Sequence, residues 1–223
     1  MPTTMEAPTK TPTPAHSAAR PPEKWLDVPQ NRWIAAGGAA AVVVLIGLFV
    51  RYSGQRKEEF ASRSLDAARS EAESGNLPLA ASDLQKLITT YGGTDAAEEA
   101  VLTLNQVRMV NGQNELAVTG LQEFIKQQPA SKYLAPAYGL LGTALENARK
   151  PIEAGEAFMA ASKAADVDYL RADYLISAGR AYRNGGKPDL AIAAYRKILS
   201  DFPKSPAKVE AEVRLSELTQ GKM

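Results

Sequence analysis

The chain has 223 residues, and its 26 lysines and arginines nearly balance 25 aspartates and glutamates. A protein that binds nucleic acid neutralises phosphates with a surplus of basic side chains, so this balance argues against nucleic acid as a partner. Cysteine is absent from the sequence, which excludes disulfides, thiol catalysis and thiolate metal sites.

The first 32 residues are predicted to be a disordered tail that ends in a short juxtamembrane segment. Residues 1–30 contain seven of the 14 prolines, together with threonine, serine and alanine. Almost no apolar residue precedes Trp25, so folding would bury too little apolar surface to offset the lost chain entropy. The only histidine, His16, lies in this tail and is expected to be solvated rather than a ligand or a base.

An uncharged run of 18 residues follows, from Trp33 to Val50, with Arg32 and Arg51 at its two ends. As a helix it would span roughly 27 Å, which is close to the hydrocarbon thickness of a bilayer. We therefore predict one transmembrane helix over residues 33–52, in contact with lipid. A buried core helix and a signal peptide are the alternatives. The long leader and the missing small-residue cleavage site argue against a signal peptide.

The orientation of this helix does not follow from its flanking charges. Basic residues occur in similar numbers before it, at Arg20, Lys24 and Arg32, and after it, at Arg51, Arg56, Lys57 and Arg63. The difference is too small for the positive-inside rule to choose a side. Residues 53–60 are predicted to be a linker or a helical extension.

A period of 37 residues organises the rest of the chain, with units that begin at Ala61, Glu98, Ala135 and Ala172. One column is always alanine, and the column four residues later is always bulky. These repeat-packing candidates are Ala80, Ala117, Ala154 and Ala191, followed by Leu84, Leu121, Phe158 and Tyr195. An offset of four residues places both columns on one face of a helix. Repetition of this length is typical of helical solenoids.

Each unit also has an apolar stripe in its first half and a turn between its halves. The turn column holds Gly75, Gly112, Arg149 and Gly186, and proline follows closely in three of the units. Proline is tolerated in the first turn of a helix because its missing N–H has no intrahelical partner there. We predict four helix–turn–helix units over residues 61–208 and a capping helix over residues 209–223.

These columns resemble the tetratricopeptide repeat. In the last unit the matching residues are Ala178, Gly179, Tyr182, Gly186, Ala191, Tyr195 and Pro203. Gly142 holds the glycine column of the third unit, whereas Asn105 and Ala68 replace glycine in the second and first. The resemblance implies an all-α fold. It would be a single transmembrane helix followed by a right-handed tetratricopeptide-type α-solenoid of about four units plus the capping helix.

The layout of a short tail, one span and a repeat domain resembles the bacterial YfgM family, the ancillary subunit of the SecYEG translocon. The resemblance implies a single-pass protein of the inner membrane whose repeat domain lies in the periplasm and assists secretion or chaperone handover. Its implied partners are the SecYEG translocon, a membrane-anchored periplasmic chaperone or unfolded secretory clients. The alternatives are a structural scaffold in outer-membrane assembly or cell division, and a cytoplasmic-facing adaptor.

In the tetratricopeptide family the first helices of the units line a groove that binds an extended peptide or a partner's helix. The resemblance places six groove candidates here: Gln106, Met109, Thr143, Glu146, Arg180 and Arg183. Arg180 and Arg183 lie one turn apart and are expected to meet a partner's carboxylate.

The sequence predicts no catalytic residue, metal site or cofactor. Nucleophilic catalysis needs a base beside a hydroxyl or thiol, yet the only histidine is in the tail and cysteine is absent. No glycine-rich phosphate loop follows a strand pattern. The chain is therefore expected to bind other proteins rather than to act as an enzyme.

Overall fold

A computed structural model describes residues 29–220, so His16 and most of the predicted tail lie outside the described part. Within residues 29–220 the chain forms nine α-helices and no strand, which confirms the all-α prediction for this range. The described chain divides into two units, with the boundary between Arg51 and Tyr52.

Helix α1 (Pro29–Glu73) contains the predicted span. It begins at Pro29 rather than at residue 33, because proline suits the first turn of a helix. The large apolar side chains from Val42 to Val50 are exposed, and Trp33 is 81% exposed. Among the described helices, α1 is the one that is long and apolar enough to cross a membrane. Residues 53–60 belong to the same helix.

The unit of residues 52–223 is an array of helix pairs. Its helices after α1 are α2 (Leu77–Tyr91), α3 (Asp95–Val110), α4 (Asn114–Lys126), α5 (Ser131–Asn147), α6 (Pro151–Ala164), α7 (Asp168–Asn184), α8 (Pro188–Asp201) and α9 (Ala207–Thr219). The C-terminal part of α1 pairs with α2, and α9 packs on α7 and α8. We call the C-terminal part of α1, α3, α5, α7 and α9 the A helices, and α2, α4, α6 and α8 the B helices.

The same tight turn joins the two helices of each pair. Its central residue has a positive φ in all four pairs: Gly75 at 86°, Gly112 at 75°, Arg149 at 61° and Gly186 at 69°. The next amide donates to the carbonyl oxygen five residues earlier, as from Lys150 to Leu145 at 2.8 Å. This is the Schellman arrangement, in which glycine is preferred because it has no Cβ. Arg149 is the one arginine that adopts this conformation among the described residues.

Aromatic side chains of the B helices pack on glycines of the A helices in the last two pairs. A Cβ on Gly142 would lie 2.6 Å from Phe158, and one on Gly179 would lie 2.4 Å from Tyr195. The repeat-packing candidates are all buried: Ala80, Leu84, Ala117, Leu121, Ala154, Phe158, Gly142, Gly179, Tyr182, Ala191 and Tyr195. The small residue allows the close approach, and the ring fills the space between the helices.

The second pair replaces this glycine by Asn105, which is fully buried. Its side-chain nitrogen donates to the Val101 carbonyl oxygen at 2.8 Å, and its side-chain oxygen accepts from Arg108 at 3.0 Å. Gly120 of α4 provides the space, because a Cβ there would lie 2.5 Å from the Asn105 oxygen. Both polar groups of the amide are thus satisfied, and α3 remains an uninterrupted helix.

Two charged residues of α1 hold the loop between α2 and α3. Lys57 Nζ donates to the Gly92 carbonyl oxygen at 2.9 Å, at the C-terminal end of α2. The Glu58 carboxylate accepts the backbone N–H groups of Asp95 and Ala96, both at 2.8 Å, at the start of α3. The cation therefore lies at the negative end of one helix dipole and the anion at the positive end of the next. We call this contact the loop clamp.

Helix α9 occupies the place of a fifth A helix. It buries Ala207, Ala211 and Leu215 towards the array. The columns against which a following B helix would pack are polar: Glu212, Ser216 and Thr219 stand where α7 has Leu175, Gly179 and Tyr182. A polar outer face of this kind keeps the last helix of a solenoid soluble.

Candidate protein-binding groove

The A helices leave an open cavity of about 460 Å³ on their exposed side, which we call the central cavity. Its walls come from α1, α3, α5 and α7, with one side chain from α6. The lining residues are Arg69, Glu99, Leu102, Thr103, Gln106, Pro136, Gly139, Leu140, Thr143, Phe158, Tyr174, Ser177 and Arg180. Residues from four repeat units therefore meet at one place.

Three of the six predicted groove residues line this cavity: Gln106, Thr143 and Arg180. The other three lie outside its walls. Met109 is half-buried and packs against the apolar core. Glu146 and Arg183 are engaged in ion pairs with residues of other A helices.

Arg180 and Arg183 do not act as one pair in this structure. The Arg180 guanidinium lies 3.4 Å from the Glu146 carboxylate, and that of Arg183 lies 3.4 Å from the Glu217 carboxylate. Each arginine thus has its own carboxylate on a neighbouring A helix. The expectation that both would meet one partner carboxylate stays a prediction, and such a carboxylate would have to compete with these contacts.

The floor of the central cavity depends on one glycine. A Cβ on Gly139 of α5 would lie 2.7 Å from the Tyr174 ring of α7, so the ring rests on the bare backbone. Leu102 and Phe158 add apolar surface and are 8% and 4% exposed. The Tyr174 phenol is neutral at physiological pH, and burial raises its pKa further. The floor is therefore uncharged and largely apolar, with the Tyr174 hydroxyl as its polar group.

Ion pairs bridge each pair of neighbouring A helices. They are Arg69 to Glu99 at 2.6 Å, Lys132 to Asp95 at 2.6 Å, Arg180 to Glu146 at 3.4 Å and Arg183 to Glu217 at 3.4 Å. Most of these side chains are substantially exposed, so each pair contributes about 1 kcal/mol or less to stability. The cations at the rim of the central cavity are nevertheless largely matched by carboxylates.

A second cavity of about 390 Å³ lies between α7 and α9, and we call it the C-terminal cavity. Asp173, Ile176, Ser177, Pro206, Ala207 and Glu210 line it. Two carboxylates and no cation are among these residues. Ser177 lines both cavities, so the two adjoin along the A-helix side of the array.

The sequence analysis missed Gly139, Tyr174, Asp173 and Glu210. A signal for the first two is present in the repeat columns. Gly139 stands in a column that holds Leu102 and Ile176, and Tyr174 stands in a column that holds alanine in the second and third units. Gly139 is small in a column of large residues, and Tyr174 is large in a column that otherwise includes small ones. Two such opposite departures indicate that the packing between α5 and α7 differs locally from that of the other units.

Within residues 29–220, no cluster of three or more histidine, cysteine, aspartate or glutamate side chains has the geometry of a metal site. The cavities instead combine apolar surface with hydroxyl, amide and charged groups. Such a lining suits a segment of polypeptide, which presents both apolar side chains and backbone hydrogen-bonding groups.

The repeat columns and the paired helices agree with a known family. Residues 28–220 match the family model described as the tetratricopeptide repeat-like domain. The chain belongs to this family. The tetratricopeptide-like repeats indicate a protein-interaction module. No curated protein matches the chain.

Solved structures of other proteins share the fold. The crystal structure of MamA protein has a TM-score of 0.56 and 24% identity, and the match covers 74% of this chain and 83% of that one. A Podosopora anserina protein, described as a kinesin light chain with nearly identical TPR-like repeats, has a TM-score of 0.57 and 16% identity. That match covers 72% of this chain and 85% of the other. At these identities the likeness establishes the fold alone.

Proposed function

We propose that this chain is a membrane-anchored interaction module whose A helices bind an extended segment of a partner protein. The observation that carries the proposal is the central cavity, where an apolar floor is rimmed by hydroxyl, amide and guanidinium groups from four units. The predicted residues Gln106, Thr143 and Arg180 supply part of this rim. Helix α1 supplies the anchor.

The setting we propose is the periplasmic face of a bacterial inner membrane, beside the SecYEG translocon. There the array would hold emerging chains or pass them to a membrane-anchored periplasmic chaperone. The support is the layout of the chain, which resembles the YfgM family, together with the exposed apolar helix ahead of the repeats. A groove that accepts apolar side chains suits clients that have not yet buried them.

Site-specific photocrosslinking in intact membranes tests this function. A photoreactive residue replaces Gln106, which is exposed in the central cavity, and the captured proteins are identified by mass spectrometry. The matched control carries the same residue at Arg196, which is exposed on the B helix α8. We expect crosslinks to translocon subunits, to the neighbouring chaperone or to many secretory proteins from position 106 and not from position 196.

Other outcomes would overturn parts of the proposal. Capture of a single folded assembly or division protein would replace the secretion role by that of a structural scaffold. Exclusively cytosolic partners would reverse the topology. Equal capture from positions 106 and 196 would show that the A-helix side is not the binding surface.

A further inference from the structure

We infer that the central and C-terminal cavities together recognise one extended segment with an apolar residue and, about three residues away, a lysine or arginine. The inference rests on the proposed function, because it names the kind of segment that the A helices would bind. It follows from a difference between the two adjoining cavities: the charges around the central cavity are paired, whereas the C-terminal cavity has an excess of carboxylates.

The central cavity suits an apolar side chain. Its floor is formed by the Tyr174 ring on the bare backbone of Gly139, with Leu102 and Phe158 beside it. The two cations at its rim have carboxylate partners, Glu99 for Arg69 at 2.6 Å and Glu146 for Arg180 at 3.4 Å. An acidic residue would therefore displace an existing contact, whereas an apolar residue would bury apolar surface and leave both ion pairs in place.

The C-terminal cavity keeps an excess of negative charge. Asp173 forms no ion pair with any residue of the described part, and Glu210 lies 3.5 Å from Arg214. Arg214 also contacts Glu217, which in turn contacts Arg183. Three carboxylates at this end thus face two guanidinium groups. A basic side chain that enters between Asp173 and Glu210 would neutralise the remaining charge and form charge-assisted hydrogen bonds.

The spacing between the two side chains follows from the helix packing. The floor of the central cavity lies where Tyr174 of α7 packs on Gly139 of α5, and the C-terminal cavity lies between α7 and α9, so the two sites are about one helix spacing apart. Packed helix axes lie about 8–10 Å apart, and an extended chain rises about 3.3 Å per residue. Ser177, which lines both cavities, leaves a polar group beside the backbone that connects the two side chains.

Fluorescence anisotropy with the full-length protein in nanodiscs tests this inference. The probe is a fluorescein-labelled ten-residue peptide of glycine and serine with phenylalanine and lysine three residues apart. Matched peptides replace lysine by glutamate, replace phenylalanine by alanine, or separate the two by six residues. We expect the first peptide to bind about tenfold more tightly than the glutamate peptide, a preference that weakens with added salt. The alanine and long-spacing peptides should also bind more weakly.

Variants assign the preference to the two carboxylates. The double variant Asp173→Asn with Glu210→Gln changes two exposed positions. It should reduce the preference for the lysine peptide over the glutamate peptide to less than about twofold, and both peptides should still bind through their phenylalanine. The control Asp189→Asn removes an exposed carboxylate from α8 and should leave the preference unchanged.

The outcomes separate this inference from the function on which it rests. Equal binding of the lysine and glutamate peptides, or a preference that survives the double substitution, would overturn the basic-residue inference alone. If no peptide binds, the inference is overturned. If, in addition, position 106 captures no protein, the proposed function also fails.

Discussion

Glycine and aromatic residues occur together in the last two repeats and are absent together from the first two. Gly142 lies opposite Phe158 and Gly179 opposite Tyr195, at distances that leave no room for a Cβ. In the first two units the same columns hold Ala68 with Leu84 and Asn105 with Leu121. The same contact between the two helices of a pair is therefore made in two ways. In the last two units a glycine packs against an aromatic ring, and in the first two an alanine or asparagine stands opposite a leucine.

Substitution of Gly179 by alanine is expected to destabilise the array by about 1–3 kcal/mol, because the new methyl group would overlap the buried Tyr195 ring. Adding Tyr195→Leu should recover part of this loss by restoring the combination found in the first unit. Urea unfolding of the four members of the double-mutant cycle measures the coupling, which we expect to be about 1 kcal/mol or more. Strictly additive effects of the two substitutions would show that positions 179 and 195 are not coupled through this contact.

Arg149 adopts a left-handed backbone conformation, φ 61°, that glycine adopts in the three equivalent turns. Arg149→Gly is therefore expected to raise the free energy of unfolding by about 1 kcal/mol, because it relieves the contact between Cβ and the backbone. Lys150→Gly is the control, since its φ of −115° suits any residue and glycine there should only lower stability. Thermal unfolding followed by circular dichroism compares the two. A less stable Arg149→Gly protein would contradict the prediction.

Among the elements, α3 depends on a cap that comes from another helix. The Glu58 carboxylate of the loop clamp accepts two backbone N–H groups that the first turn of α3 cannot satisfy itself. Glu58→Ala is expected to cost about 1–2 kcal/mol and to speed hydrogen exchange at Asp95 and Ala96. The neighbouring Glu59→Ala removes only an exposed ion pair with Arg63 and should change stability by about 0.5 kcal/mol or less. Equal effects of the two substitutions would show that the cap is not needed.

For the whole molecule, the 37-residue period predicted the paired helices and the small and bulky columns, because each unit repeats the same packing problem. The period could not predict the floor of the central cavity, because Gly139 and Tyr174 depart from their columns and compensate each other across 35 positions. It also could not assign Glu146 to Arg180 and Glu217 to Arg183, because these contacts depend on how neighbouring A helices are placed, which the period does not give.

The topology of the chain can be tested directly because the sequence lacks cysteine. Gln113→Cys, in the turn between α3 and α4, should react with a membrane-impermeant maleimide in intact spheroplasts. Thr11→Cys, ahead of the apolar helix, should react only after the membrane is permeabilised. The reverse pattern would place the array in the cytoplasm, and reaction of both positions in intact spheroplasts would contradict a single span.

The polar outer face of α9 also bears on how such a protein can change over evolutionary time. A further unit joined after α9 would have to pack its B helix against Glu212, Ser216 and Thr219, where the existing contacts use leucine, glycine and tyrosine. Burying Glu212 with Lys208, its ion-pair partner at 3.6 Å, would take two charges out of water and would be unfavourable. A longer relative should therefore arise by duplication of an internal pair, because each internal pair already packs against a neighbour on both sides.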